Sequence, residues 1–216
     1  MKKYYFTSEA VCEGHPDKIC DKISDYILDE ALKQDKNSKM AVEATIKDNT
    51  IIIYGEANTK ANLNYEDLAK AVLKDIGYDE EFRIIELVGK QSNEIRKAVE
   101  QDEVMAGDQG IMFGYACLDT DNFMPLPIVL ANGLCLKLSQ LRKEGVVDFL
   151  NPDGKSQVTV EYVDGKPSRI DTVIMAVCHK EWITQDDLKK FVLEEVIEKV
   201  IPKELLDDKI KILINT

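Results

Sequence analysis

The sequence predicts an α+β fold made of two tandem β-α-β-β-α-β units. Three observations predict it. The same succession of hydrophobic periods, near 2 for strands and near 3.6 for helices, runs through each half of the 216 residues. Two turn pairs, Asp48-Asn49 and Asp164-Gly165, separate alternating strands and lie half the chain apart. Hydrophobic residues are 44% of the chain, enough for a core at a length that buries roughly 70–75% of its unfolded surface.

The elements follow in order. A short apolar strand is expected over Tyr4 to Phe6, then a helix from Pro16 to Lys33 with Ile19, Ile23, Ile27 and Ala31 on one face. Strands are expected over Met40 to Lys47 and Thr50 to Ala57. A second helix, Tyr65 to Ile76, is capped by Asn64, buries Leu68, Val72 and Leu73, and stops at Gly77. A strand over Phe82 to Val88 closes the first unit. The second unit repeats this order with a strand over Ile111 to Leu118 and a helix over Ile128 to Lys143. A hairpin, Gln157 to Val163 and Ser168 to Val177, comes next. A helix opening at Thr184 with Asp187 three residues on carries Leu188, Val192, Val196 and Val200 to a stop at Pro202. A last strand runs from Lys209 to Asn215, and the boundary between units falls near residues 92–107.

Charge and cysteine usage narrow the function. Lys plus Arg number 28 against 40 Asp plus Glu, a formal net charge of −12. A nucleic-acid partner is not expected without a basic face, nor is attraction to an anionic membrane. No apolar run approaches the roughly 20 residues of a membrane span. The two lysines after Met1 precede no apolar stretch, so a signal peptide is not expected. Five cysteines without a CxxC pair fit reduced, mostly buried thiols in a cytoplasmic protein.

Three motifs carry chemistry. Glu13-Gly14-His15-Pro16-Asp17-Lys18 fits ordinary capping by proline and an acidic first turn. It also puts a His, a carboxylate and a Lys at one helix start, where free N–H groups favour phosphate and Asp17 offers magnesium an oxygen. Ala106-Gly107-Asp108-Gln109-Gly110 fits a plain connection, or a loop bringing backbone close to a ligand with Asp108 as a polar handle. Asn151-Pro152-Asp153-Gly154-Lys155 is first of all a turn signal, with Lys155 placed to meet phosphate. Glu43, among small and apolar neighbours, needs a cation or hydrogen-bond partners if it points inward. Glu56 lies on the next strand. His179 and Trp182 are expected to be structural.

Together these motifs resemble the S-adenosylmethionine synthetase (methionine adenosyltransferase) family. The carriers are Phe6-Thr7-Ser8-Glu9, the motif at Glu13 to Lys18, Gly89-Lys90-Gln91-Ser92, Gly107 to Ala116, Met124-Pro125-Leu126-Pro127-Ile128 and Lys155-Ser156-Gln157-Val158-Thr159. The resemblance implies an enzyme that joins L-methionine to ATP, using Mg²⁺ and K⁺. It implies catalytic roles for His15, Lys155 and Asp108, ATP contacts at His15, Asp153 and Lys155, and methionine contacts at Glu56, Gln91 and Asp108. Asp17 matches a Mg²⁺ ligand and Glu43 the carboxylate associated with K⁺. Ser92 to Met105 matches the loop that gates the site. The expected division is 1–98 for an N-terminal repeat with the His15-Pro16-Asp17-Lys18 motif, 99–107 for a short gating loop or linker, and 108–216 for a central repeat.

The sequence departs from the family pattern in ways that bear on activity. Members carry three repeats, and this sequence matches the first two; the third repeat is absent. Asn132-Gly133 stands where members usually have His-Arg, and Ala176 and Cys178 replace a Ser and a Gln before His179. Three readings follow: a split or truncated enzyme acting with a chain that carries the third repeat, a fragment with little activity alone, or a non-catalytic ATP-binding relative or interaction subunit. A homodimer or such a heteromer is the expected assembly.

Overall fold

The structure, a computed structural model, describes residues 2–90 and 109–216. It divides into two compact units: residues 1–15 with 114–216, and residues 16–113.

The first unit is built on the four-stranded sheet β1-β5-β6-β7. Strand β1 (Lys3–Val11) pairs antiparallel with β5 (Leu150–Val163), Lys3 opposite Val163 and Val11 opposite Lys155. The β5–β6 hairpin (β6, Lys166–His179) turns at Asp164-Gly165, and β7 (Lys211–Ile214) adds parallel to β6. Helix α3 (Leu126–Lys143) covers one face, with Leu130, Leu134, Leu138 and Leu141 buried against Val158, Val160, Val173 and Met175. Helix α4 (Gln185–Phe191) continues through a π-helical stretch, Val192–Ile197, into a short turn, α5 (Glu198–Val200). Thr184 caps it, its Oγ1 accepting from the Asp187 N–H at 3.1 Å, as the spacing predicts. Asp119 does two tasks ahead of α3: its Oδ2 accepts from the Leu126 N–H at 3.4 Å and from the buried Tyr162 hydroxyl at 2.5 Å.

The second unit carries the three-stranded sheet β2-β3-β4. Helix α1 (Pro16–Gln34) buries Ile19, Ile23, Ile27 and Ala31, each apolar side chain of isoleucine size contributing about 1.5–3 kcal/mol. Strands β2 (Lys39–Lys47) and β3 (Thr50–Asn58) form a hairpin, and β4 (Arg83–Lys90) adds parallel to β3. Helix α2 (Tyr65–Ile76) has the Asn64 cap and ends at Gly77, whose φ of 102° suits glycine. The core joins both helices to Val42, Ile51, Ile53 and Ala57.

Four expectations are corrected. Strand β1 does not pair within the first half; it completes the sheet of the second, and Ala10 and Cys12 enter that core. Ile111 to Leu118 is not a strand: Ile111, Met112, Phe113, Tyr115 and Leu118 are all exposed. An apolar run becomes a strand only where an edge receives it, and among the described residues no edge does. Asn151-Pro152-Asp153-Gly154 is not a turn but the start of β5. Proline is tolerated there because the β5–β6 ladder skips from the Leu150–His179 pair to Gly154–Val177, so no ladder N–H is lost. The cysteines are less buried than expected: Cys12 and Cys135 are buried, and Cys178 is exposed.

Candidate functional site

Alternation along β5 decides which side chains are available. Ser156, Val158 and Val160 turn toward α3, which leaves Asp153, Lys155, Gln157 and Thr159 on the face without helices. Ser156 is fully buried and satisfied, its hydroxyl donating to the Ala131 carbonyl at 2.7 Å. Strand β1 lies alongside with Glu9 and Val11 on that same open face, and the Lys155 ammonium meets the Glu9 carboxylate at 2.9 Å.

Beyond Val11 the chain keeps following β5. The Cys12 N–H donates to the Gly154 carbonyl at 2.8 Å and the Gly14 N–H to the Pro152 carbonyl at 3.2 Å. Those two bonds flank Asp153. Gly14 sits so close that a Cβ would come within 2.5 Å of the Pro152 carbonyl carbon, which explains a glycine here. The His15 N–H then donates to the Cys12 carbonyl at 3.0 Å, closing a tight loop before α1. Of the expected site residues, His15, Asp153 and Lys155 are therefore gathered in the first unit. A shallow crevice lined by Cys12, Arg142, Asn151 and Asp153 among others lies in the same unit, and it holds little more than a water molecule, far short of a pocket that encloses a drug-sized ligand.

The other candidates lie elsewhere. The unit boundary falls between His15 and Pro16, so Asp17 and Lys18 open α1 in the second unit, both exposed. Glu43 is opposite Tyr54 and Glu56 opposite Ala41, one pair apart on the helix-free face of the β2–β3 hairpin. Glu43 points outward, not inward, and needs no buried counter-charge. Gln91, Asp108 and the gating segment Ser92 to Met105 lie outside the described residues. His179 ends β6 with Nδ1 against the Lys180 carbonyl at 2.9 Å, and Trp182 packs edge-on to Phe149.

Asp17 has an oxygen donor suited to magnesium, an ion that commonly takes one or two protein carboxylates together with water and substrate phosphates. Among the described residues no three His, Cys, Asp or Glu side chains converge to cage an ion. Asp17 thus fits magnesium carried by a phosphate ligand. The exposed Glu43 carboxylate alone does not make a potassium site.

Sequence reasoning assigned no role to Glu9, Glu13, Arg142 or Lys143. Glu13 accepts from Arg142 Nη2 at 2.6 Å through one carboxylate oxygen and meets Lys143 Nζ at 2.7 Å through the other. The two cations in the last turn of a helix were the available signal. The departures also find places. A Cβ on Gly133 would approach Val200 Cγ1 to 2.9 Å, so glycine permits the close contact of α3 with α5. Asn132 is exposed. Ala176 is opposite Lys155, and the Cys178 sulfur accepts from Asn151 Nδ2 at 3.4 Å. No helix among the described residues is long and apolar enough to cross a membrane.

Comparison with known proteins bears on this arrangement directly. Residues 3–101 match the model of the S-adenosylmethionine synthetase N-terminal domain, and residues 103–216 that of the central domain. The chain is 46% identical to the S-adenosylmethionine synthase of a Nitratiruptor species, with 99% of this chain and 58% of that protein aligned. It is 43% identical to that of Wolinella succinogenes over 99% of this chain and 58% of the relative. For Syntrophobacter fumaroxidans the figures are 42%, 100% and 59%. The chain thus spans somewhat over half the length of these relatives. Both halves match in order and the matches jointly cover nearly all of it, so the chain belongs to the S-adenosylmethionine synthetase family.

Proposed function

We propose that this chain supplies the N-terminal and central parts of a cytoplasmic methionine adenosyltransferase. That enzyme forms S-adenosylmethionine from ATP, L-methionine and water, releasing phosphate and diphosphate. The observation that carries the reading is the pairing of the His15 loop with β5, which puts His15, Asp153 and Lys155 in one region of one unit. The methionine sulfur is a neutral thioether and loses no proton when it attacks the 5′ carbon. No general base is required, so the barrier lies in orientation and in charge on the departing triphosphate.

His15 and Lys155 would donate to triphosphate oxygens, and Asp153 would hold the nucleoside. Lys155 must first leave Glu9. Their side chains are 43% and 54% exposed, and such pairs contribute about 0–1 kcal/mol, so a polyanion displaces Glu9 readily. Glu56, Gln91 and Asp108 would bind methionine, and Glu43 would accompany K⁺. Magnesium, held at Asp17, would neutralise phosphate charge. Turnover would also draw on the part of the relatives that lies outside this span, in a homodimeric assembly or a heteromer with a chain carrying the third repeat.

Product formation should be assayed for the chain alone and mixed with a polypeptide corresponding to the part of the relatives that it does not span. The expected result is product from the mixture, with Lys155→Ala lowering kcat by about 10²–10³. No product from either, with ATP still bound, supports the second reading, an ATP-binding subunit without turnover. The departure at Asn132-Gly133 favours that reading, because the positive charge the family pattern puts there is missing from this chain.

A further inference from the structure

The loop that carries His15 is only four residues long, Cys12 to His15, between β1 and α1. Backbone bonds to β5 hold it on one side. A further attachment is the Glu13 side chain, which reaches the C-terminal turn of α3 and places both carboxylate oxygens there, one on Arg142 and one on Lys143. The Glu13 and Arg142 side chains are only 20% and 13% exposed. A charge-assisted pair in that setting is stronger than one at an open surface, and removing one partner leaves the other poorly solvated. One residue beyond His15, Pro16 fixes its own φ and enters α1, so a firmly held Glu13 narrows the conformations open to the His15 backbone between them.

We infer that Glu13 is the positioning residue of this loop: it clamps the His15 backbone between the end of α3 and the β5 segment bearing Asp153. The clamp deepens the ATP-site reading and rests on it only for the identity of the ligand at His15. A merely structural ion pair would change the melting temperature and leave the His15 ring where it is.

The chain has two histidines, His15 and His179, so the imidazole resonances give a direct readout with an internal reference. Spectra are recorded for the full chain, Glu13→Gln and Arg142→Lys, each without ligand and with tripolyphosphate. The expected result is a shifted and broadened His15 line in Glu13→Gln, an unmoved line in Arg142→Lys, which keeps the cation, and an unmoved His179 line throughout. In the wild-type chain tripolyphosphate shifts the His15 line, with an affinity about 10-fold lower in Glu13→Gln. An unchanged His15 line in Glu13→Gln overturns the clamp, and so does equal movement of both histidine lines. Should Glu13→Gln fail to fold, Glu13→Asp, which keeps the charge but shortens the reach, gives the same comparison. If tripolyphosphate leaves wild-type His15 unmoved, the ATP-site reading fails, while the ligand-free spectra still decide the clamp.

Discussion

The two units share a plan and differ at one edge. In each, a helix leads to an antiparallel hairpin, a second helix follows, and a last strand adds parallel to the second arm of the hairpin. In the first unit the other edge of the hairpin is occupied by β1; in the second, no described residue occupies the edge of β2. The candidate residues sort by that difference. Beside β1 stand Glu9, Glu13, His15, Asp153 and Lys155, with ion pairs and a fixed loop. On the hairpin without it, Glu43 and Glu56 stand on a helix-free face next to the exposed Tyr54 and Leu87. A repeated architecture thus gathers ion-paired candidate residues and a fixed loop where a strand distant in sequence arrives.

The strongest way to break the comparison is to remove residues 1–11. Amide exchange should then show lost protection throughout the first unit and retained protection in the second, a cost on the order of 5 kcal/mol or more, the whole stability of a typical small domain. Equal loss in both units would show that they do not fold separately. Next in size are matched core truncations. Leu134→Ala and Ile53→Ala, both at fully buried positions, should each cost about 2–5 kcal/mol in chemical denaturation. Each should destabilise its own unit, as read by unit-resolved exchange. Gly14→Ala comes third. Its Cβ would meet Pro152 backbone at 2.5 Å, an overpacking worth about 1–3 kcal/mol that should perturb the first unit alone.

The smallest effect lies in alkali. Burial, and then the Asp119 carboxylate that accepts its hydroxyl, push Tyr162 well above the usual phenol range. A raised value means the folded state keeps a proton that the unfolded chain gives up. That stability is complete below the ordinary phenol value of about 10 and is lost as pH climbs past it. Tyr65 in the second unit is raised by burial and then by Glu86. Melts above that pH should show Tyr162→Phe removing more of the alkaline loss than Tyr65→Phe.

Elements were legible in the sequence and their partners were not. The Ile19-Ile23-Ile27-Ala31 stripe, the Asn64 and Thr184 caps and both hairpin turns act through neighbours within a few residues, and each appears where the pattern puts it. Tyr4 to Phe6 and Ile111 to Leu118 look alike as apolar runs, yet one is a strand and the other is not, because pairing depends on an edge far away in sequence. Asp153 was misread for the same reason. Pro-Asp-Gly carries a turn signal that the β1–α1 loop overrides by bonding to the carbonyls on either side. His15 and Lys155 stood out from the motifs, whereas Arg142 and Lys143 acquire a partner only once α3 lies against the loop.

The pairing of β1 with β5 also sets a timetable. Thr7 and Thr159, bonded across the two strands at 2.9 Å, are 152 residues apart. At the pace of ribosomal synthesis, on the order of 5–20 residues per second, β1 would wait roughly 7–30 s for β5 to emerge. The β2–β3 hairpin and β4 are made within that interval, so the second unit has all its described strands before the first can begin to close. During the wait the exposed edge and aromatic residues of β1 are open to other nascent chains, and the rate of translation between residues 12 and 163 becomes a variable in the yield of folded protein.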